Sequence, residues 1–346
     1  MKTLILQDWY EENDLLNPSL FALIELLHEA DVGFLQNFEN KLPHELADRR
    51  VAFYGARLTR KNFDNLEELI ALEEKIPWCD YDLVVCNTRG YLRHFRKGID
   101  AKTRIIVYQH DLLAALWRIN PKTLNEEETA TLLLQQELDL EYAHGINLTI
   151  AANFALQKTL SAMFKKNVSL AYPLIDQTIF FPENNVMREY FVALDTVDRE
   201  RLTRLFACMA DKLIVFGEYK HDKLLRELKP DNIYYTGPLT LADQAYYLAG
   251  AKAFFCGETH SLSHLPLASL KMGIPLIAHP TQGMTEILED SDTGVELESA
   301  SEDELIRHIR HYRNAKESRT KISASVDWLN KESFVKRLKK SIERGI

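Results

Sequence analysis

Short apolar runs that stop at a glycine or a polar turn alternate with longer stretches of helical spacing along the whole chain. In the first half the runs TLIL (3–6), RVAFY (50–54), DLVVC (82–86), RIIVY (104–108), NLTIAA (147–152) and VSLAY (168–172) predict strands. Residues 20–28, behind the start signal Asn17, Pro18 and Ser19, and residues 121–142 predict helices. A second series opens after a polar passage at 181–185: YFVAL (190–194), KLIVF (212–216), NIYYT (232–236), AFFC (253–256) and PLIA (275–278). Helices follow at 301–310 and 329–338. Strands that are apolar throughout, rather than at every second position, belong to parallel sheets covered on both faces. The pattern predicts an α/β chain of two consecutive Rossmann-like domains, 1–184 and 185–346, with parallel sheets facing across a cleft. The last helix (327–346) is the segment that would pack back on the first domain.

The stretch 251–286 concentrates the candidate chemistry. Its first strand stops at Gly257, and Glu258, Thr259, His260 and Ser261 form a polar loop that can cap the next helix. The segment LPLASLKM (265–272) has helical spacing and stops at Gly273. A further strand leads to Gly283, Met284, Thr285 and Glu286, a loop opening another helix. In doubly wound sheets ligands bind where such loops leave the carboxyl ends of strands.

Composition narrows the class. The chain has 346 residues, long enough for two domains, and its net charge of −9 argues against a nucleic-acid binder. The four cysteines, Cys79, Cys86, Cys208 and Cys256, show no metal-ligand spacing, and Cys86 and Cys256 close apolar strands as core thiols would. The apolar run at the N-terminus stops at Gln7, too short for a signal peptide, and no stretch has the ~20 apolar residues of a membrane helix. These features predict a cytoplasmic protein with reduced thiols. One basic segment stands out: residues 89–104 hold six cations around Tyr91 and Phe95, including Arg93, Arg96 and Lys97. It reads either as a solvated helix and loop or as an edge that meets anionic membrane or a lipid-phosphate acceptor.

Several passages, in this order, resemble one family. They are YDLVVCNT (81–88), YQHDLLAALW (108–117), IAAN (150–153), AYPLIDQTIFFP (171–182), FGE (216–218), TGPLT (236–240) and the stretch 251–286. Together they are similar to the GT-B glycosyltransferases of the large retaining family, the family-four type, that includes O-antigen and exopolysaccharide mannosyltransferases. The resemblance implies a transferase using a nucleotide-sugar donor and a glycan or lipid-linked acceptor in surface polysaccharide synthesis. It implies no cofactor beyond that co-substrate and no metal; no DxD-type carboxylate pair follows a strand. By the same resemblance His110, with Asp111 beside it, matches the active-site histidine that touches the donor sugar. Glu286 matches the acidic residue near the donor ribose, and the loops Gly257–Ser261 and Gly283–Thr285 match those that hold the phosphates, a task suited to backbone N–H groups at helix starts.

Departures from the family's pattern fall on the donor side. The family carries an Arg and a Lys just after the first strand of its second domain, where they neutralise the leaving diphosphate. Here that passage reads ALDTVDRERL (193–202), and Arg199 and Arg201 are the cations that could substitute. Two family glutamates fall at His260 and Ala268. Three readings fit: a divergent transferase, a transferase using a donor with a single phosphate such as a CMP-linked sugar, or a catalytically degenerate sugar-binding or partner subunit.

Overall fold

The computed structural model describes residues 1–12, 14, 16–39, 42–55, 66–92, 102–117, 119, 121–183, 185–194, 199–217, 230–256, 264–279, 285–288, 293–297, 301–313 and 318–345. The chain divides into two compact units, Met1–Leu174 with Lys331–Ile346, and Ile175–Asn330.

The first unit is built on a seven-stranded sheet ordered β3-β2-β1-β4-β5-β6-β7. Its strands are β1 (Thr3–Tyr10), β2 (Asp31–Asn37), β3 (Val51–Phe53), β4 (Leu83–Thr88), β5 (Arg104–Gln109), β6 (Leu148–Ala151) and β7 (Ser169–Leu170). All pairings in it are parallel. Successive residues of a strand point to opposite faces, so the unbroken apolar runs supply two cores at once. Leu4, Leu6, Val84, Cys86, Ile105 and Val107 fill one face. Ile5, Leu83, Val85, Ile106 and Tyr108 fill the other, where the helices Asn17–Leu26 and Lys331–Gly345 cover them. The last helix inserts Phe334, Leu338 and Ile342, one residue per turn, and each such burial contributes about 1.5–3 kcal/mol.

The second unit has a six-stranded sheet ordered β10-β9-β8-β11-β12-β13. Its strands are β8 (Tyr190–Leu194), β9 (Lys212–Phe216), β10 (Ile233–Tyr235), β11 (Ala251–Cys256), β12 (Leu276–Ala278) and β13 (Gly294–Glu296), again paired in parallel. Phe191, Phe206 and Phe255 meet edge-on or tilted at its centre, with ring centroids 5.7–6.0 Å apart. Cys86 and Cys256 are both buried free thiols.

Two strands, β2 and β13, have no counterpart in the sequence pattern. The first reads DVGFLQN, with a glycine and two polar residues interrupting its apolar run, and the second is three residues long. Central burial rather than composition makes β2 a strand: it lies between β1 and β3.

Gly273 ends the helix His264–Lys271 in the left-handed region, at φ +74°, and lies against the helix Arg319–Ser325. A Cβ there would come within 2.3 Å of the Arg319 carbonyl oxygen. Arg319, 4% exposed, spends its guanidinium on the carbonyls of Glu183 (2.7 Å), Val186 (3.3 Å) and Ala249, so its backbone has little room to retreat. Gly273→Ala is expected to destabilise the second unit by about 2–4 kcal/mol, from left-handed strain and overlap together. Urea unfolding monitored by tryptophan fluorescence measures it; an unchanged midpoint would contradict the account.

Candidate functional site

In a doubly wound sheet the crevice opens where neighbouring strands send their connections in opposite directions. In the first unit that place is between β1 and β4, and in the second between β8 and β11. At the carboxyl ends of β1, β4 and β5 the apolar pattern breaks into Gln7, Asp8, Asn87, Thr88, Gln109 and His110. All but His110 are fully buried. Buried polar groups at strand ends have to satisfy one another, and these do.

His110 leaves β5 with its backbone N–H bonded to the Thr88 carbonyl at 2.8 Å, and its ring rests 4.3 Å from that of Tyr108. Its Nε2 lies 2.7 Å from Asn87 Oδ1. The Asn87 amide nitrogen donates to Gln7 Oε1 at 2.7 Å and to the Leu16 carbonyl at 3.3 Å. A backbone carbonyl can only accept, so the amide is oriented with its oxygen towards His110. His110 Nε2 therefore carries a proton, and in the neutral form of the ring Nδ1 is the accepting nitrogen. The chain continues: Gln7 Nε2 donates to Asn17 Oδ1 (3.3 Å) and the Trp9 carbonyl (3.0 Å), and Asn17 Nδ2 donates to the carbonyls of Glu11 (2.8 Å) and Glu12 (3.2 Å). One directed line of amides thus runs from His110 under the ends of β4 and β1 to the loop after β1.

Asp8 anchors the adjacent turn. Its two oxygens accept from Thr88 Oγ1 at 2.5 Å and from the Arg89 backbone N–H at 2.6 Å. Thr88 Oγ1 in turn accepts the N–H groups of Gly90 (2.9 Å) and Leu92 (3.0 Å). Burial pushes the Asp8 carboxyl up to about 7, against the opposing pull of Arg89 and the two hydrogen bonds. The Arg89 guanidinium pairs with the buried Asp14 and lies 4.8 Å over the Trp9 ring. Gly90, at φ +100°, brings this turn against the loop after β5, where a Cβ would sit 2.9 Å from the Leu113 nitrogen. Asp111, half-buried, closes that loop through its own side chain on the Leu112 N–H at 2.8 Å, while its carbonyl accepts from Gln109 Nε2 at 2.8 Å.

His110 and Asp111 are thus neighbours at the end of β5. Asp8, Gln7, Asn87, Thr88 and Arg89 were not singled out from the sequence. The available signal was a polar residue closing each of two apolar strands: QD after TLIL, and NT after DLVVC.

In the second unit the sequence candidates Gly257, Glu258, Thr259, His260, Ser261, Gly283 and Met284 lie outside the described residues, as do Arg93, Arg96 and Lys97 in the first. Thr285 and Glu286 begin the short helix Thr285–Leu288 behind the β12 loop, and Arg199 begins the helix Arg199–Ala207. Arg201, on the first turn of that helix, lines a 10 Å³ cavity with Cys256 and His279, the residues that end β11 and follow β12. One cation therefore stands at the carboxyl edge of the second sheet. Ala268 is fully buried in the helix His264–Lys271. Among the described residues no group of His, Cys, Asp and Glu is arranged to hold a metal ion, and no helix is long and apolar enough to cross a membrane.

Solved structures match this arrangement over the whole chain. The Anabaena protein HepE, in complex with UDP and glucose, superposes with a TM-score of 0.72 at 15% identity, covering 99% of this chain and 100% of that one. The fold is GT-B. Sucrose-phosphate synthase from Thermosynechococcus elongatus gives a TM-score of 0.70 at 14% identity, with 99% of each chain covered. WaaG, a glycosyltransferase involved in lipopolysaccharide biosynthesis, gives 0.66 at 12% identity over 99% of each chain. No protein-family profile matches the chain, and no curated protein matches it by sequence. At these identities the GT-B likeness is one of fold.

Proposed function

We propose that the protein is a glycosyltransferase that moves a hexose from a nucleoside-diphosphate sugar to a hydroxyl of a glycan or glycolipid in surface polysaccharide synthesis. Transfer would retain the anomeric configuration and take place at the cytoplasmic side of a membrane, which the protein would meet peripherally. The observation that carries this reading is His110, held in one tautomer at the switch-point end of a GT-B first sheet. Whole-chain likeness to sugar transferases, one of them crystallised with UDP-glucose, supports it.

In this reading the Nδ1 lone pair of His110 accepts a hydroxyl of the donor sugar and fixes the ring over the acceptor. The loops 257–261 and 283–285 offer backbone N–H groups to the diphosphate, Glu286 takes the ribose, and Arg199 and Arg201 offset charge on the leaving group. The bond from the anomeric carbon to the phosphate oxygen breaks as that to the acceptor oxygen forms on the same face. The acceptor's proton passes to the departing phosphate, so no protein nucleophile is needed. Positioning and charge carry the rate.

A thermal-shift panel of UDP-, GDP- and CMP-sugars tests it. At about 100 times Kd a bound donor stabilises the fold by about 2.7 kcal/mol, a shift of several degrees. Such a shift from a UDP- or GDP-sugar supports the reading, and one from a CMP-sugar alone moves the donor to the single-phosphate class. No shift from any nucleotide favours the degenerate subunit, for which the buried Ala268, where the family has a glutamate, is the specific observation.

A further inference from the structure

Beside the amide line, residues at the ends of β1 and β2, at 42–45 and on the helix Asn17–Leu26 line an open cavity of 580 Å³ in the first unit, large enough for one or two sugar rings. Three carboxylates, Glu12, Glu39 and Glu45, lie in its wall, with the rings of Tyr10 and Phe21 and the amide of Asn17. Among the described residues that line it there is no lysine or arginine, and the nearest thing to a cation is His44, whose Nδ1 is 3.2 Å from Glu45. Tyr10 is only 4% exposed, yet its hydroxyl meets no hydrogen-bond partner among the described residues. The ring is buried and its hydroxyl, with no protein partner among the described residues, is open to whatever fills the cavity. Burial, then the charges of Glu12, Glu45 and Glu39, push that hydroxyl up to about 12, so it stays protonated while the three carboxylates act on it.

Asn17 belongs to this wall and also ends the line of amides that sets the His110 tautomer. The cavity and His110 are therefore parts of one hydrogen-bonded layer. Carboxylates and an aromatic face are what a polyhydroxylated ring needs: acceptors for paired hydroxyls and a flat surface for its C–H side. The same carboxylates repel a phosphate or a uronic acid and attract a protonated amine.

We propose that this cavity binds the acceptor saccharide and selects an amine-bearing sugar over an anionic one. Calling the ligand an acceptor rests on the glycosyltransferase reading; the charge preference rests on the cavity alone. The inference also places any phosphate of a lipid-linked acceptor away from this wall.

Binding of methyl glucosaminide, methyl glucoside and methyl glucuronide to the full chain, by titration calorimetry at low salt with and without UDP, tests the proposal. The expected order is glucosaminide, then glucoside, then glucuronide, with about a tenfold gap between first and last. Glu12→Gln and Glu45→Gln together narrow that gap. Tyr10→Phe weakens all three glycosides severalfold while leaving Tm unchanged, since it removes a hydroxyl with no hydrogen-bond partner among the described residues. Glucuronide binding as tightly as glucosaminide overturns the proposal, and so does binding that ignores all three substitutions. If UDP binds and no glycoside does, the proposal fails while the transferase reading stands. If a glycoside binds in the expected order and no nucleotide does, the transferase reading fails and the charge-selective sugar site stands.

Discussion

His110→Ala is expected to lower kcat/KM for sugar transfer by about 10²-fold, close to 3 kcal/mol of transition-state stabilisation, with little change in Tm. The ring is half-buried at a strand end, and it packs on Tyr108 rather than inside a core. Its removal takes away one oriented acceptor atom, Nδ1, and leaves the Asn87 oxygen facing solvent. Binding of free UDP should be unaffected, because UDP lacks the transferred hexose whose hydroxyl donates to Nδ1. His110→Gln separates orientation from mere packing: an amide can accept one hydroxyl, so it recovers part of the rate if orientation is the role. Equal losses of UDP affinity and of transfer in His110→Ala would mean that the residue supports the fold of the donor site and does not touch the sugar.

His110 was legible as a candidate because YQHDLLAALW, which begins in an apolar strand, resembles a family segment as one continuous piece of sequence. What holds it was not. Gln7, Asn17 and Asn87 are far apart in the chain and become one line only when β1 and β4 pair with Gln7 beside Asn87. Strand order is a long-range property, and here β4 lies beside β1 while β2 lies on the other side. The two strands that meet here, β1 and β4, are not consecutive in the chain, so local pattern carries no sign that their polar ends will meet. The two strands absent from the pattern show the converse limit. Gly33 in β2 stands where a Cβ would touch Leu6 and the Tyr54 ring, at 2.7 and 2.8 Å. Close packing between strands demands the very residue that lowers strand propensity. Buried parallel strands were legible because both faces must be apolar, and that leaves a mark in consecutive residues. The acidic cavity was illegible for the same reason as the amide line: Tyr10, Glu12, Glu39 and Glu45 come from two strand ends and the loop beyond them.

Asp8 should make the stability of the first unit depend on pH around neutrality, in the direction opposite to an ordinary surface carboxylate. Its carboxyl is raised by burial from 3.8 to about 7. Between these values the folded chain holds a proton that the unfolded chain has released, so the folded state binds more protons and stability falls as pH rises. The contribution is fully present below about pH 4 and lost above about pH 7, and the whole swing is about 4 kcal/mol. Asp8→Asn carries no such titration. At pH 5 the variant should be less stable than the natural protein by about 1–3 kcal/mol, because its amide keeps one accepting oxygen but turns an NH2 group, which cannot accept, towards the other of the two donors, the Thr88 hydroxyl and the Arg89 N–H, where the carboxylic acid turns a single O–H. As pH rises to 8 the natural protein loses stability through this group and the variant does not, so the gap narrows and closes. Urea midpoints for both proteins at pH 5, 6, 7 and 8 measure it. Parallel curves would show that Asp8 does not change protonation in this range, and that the pairing with Arg89 outweighs burial. The choice bears on the site, since the turn that Asp8 anchors carries Thr88, whose carbonyl holds the His110 backbone. Above neutrality an ionised Asp8 accepts both hydrogen bonds at full strength and holds that turn in place. Below neutrality the protonated form gives up one of them, so His110 loses its alignment on the acid side while the fold as a whole gains stability.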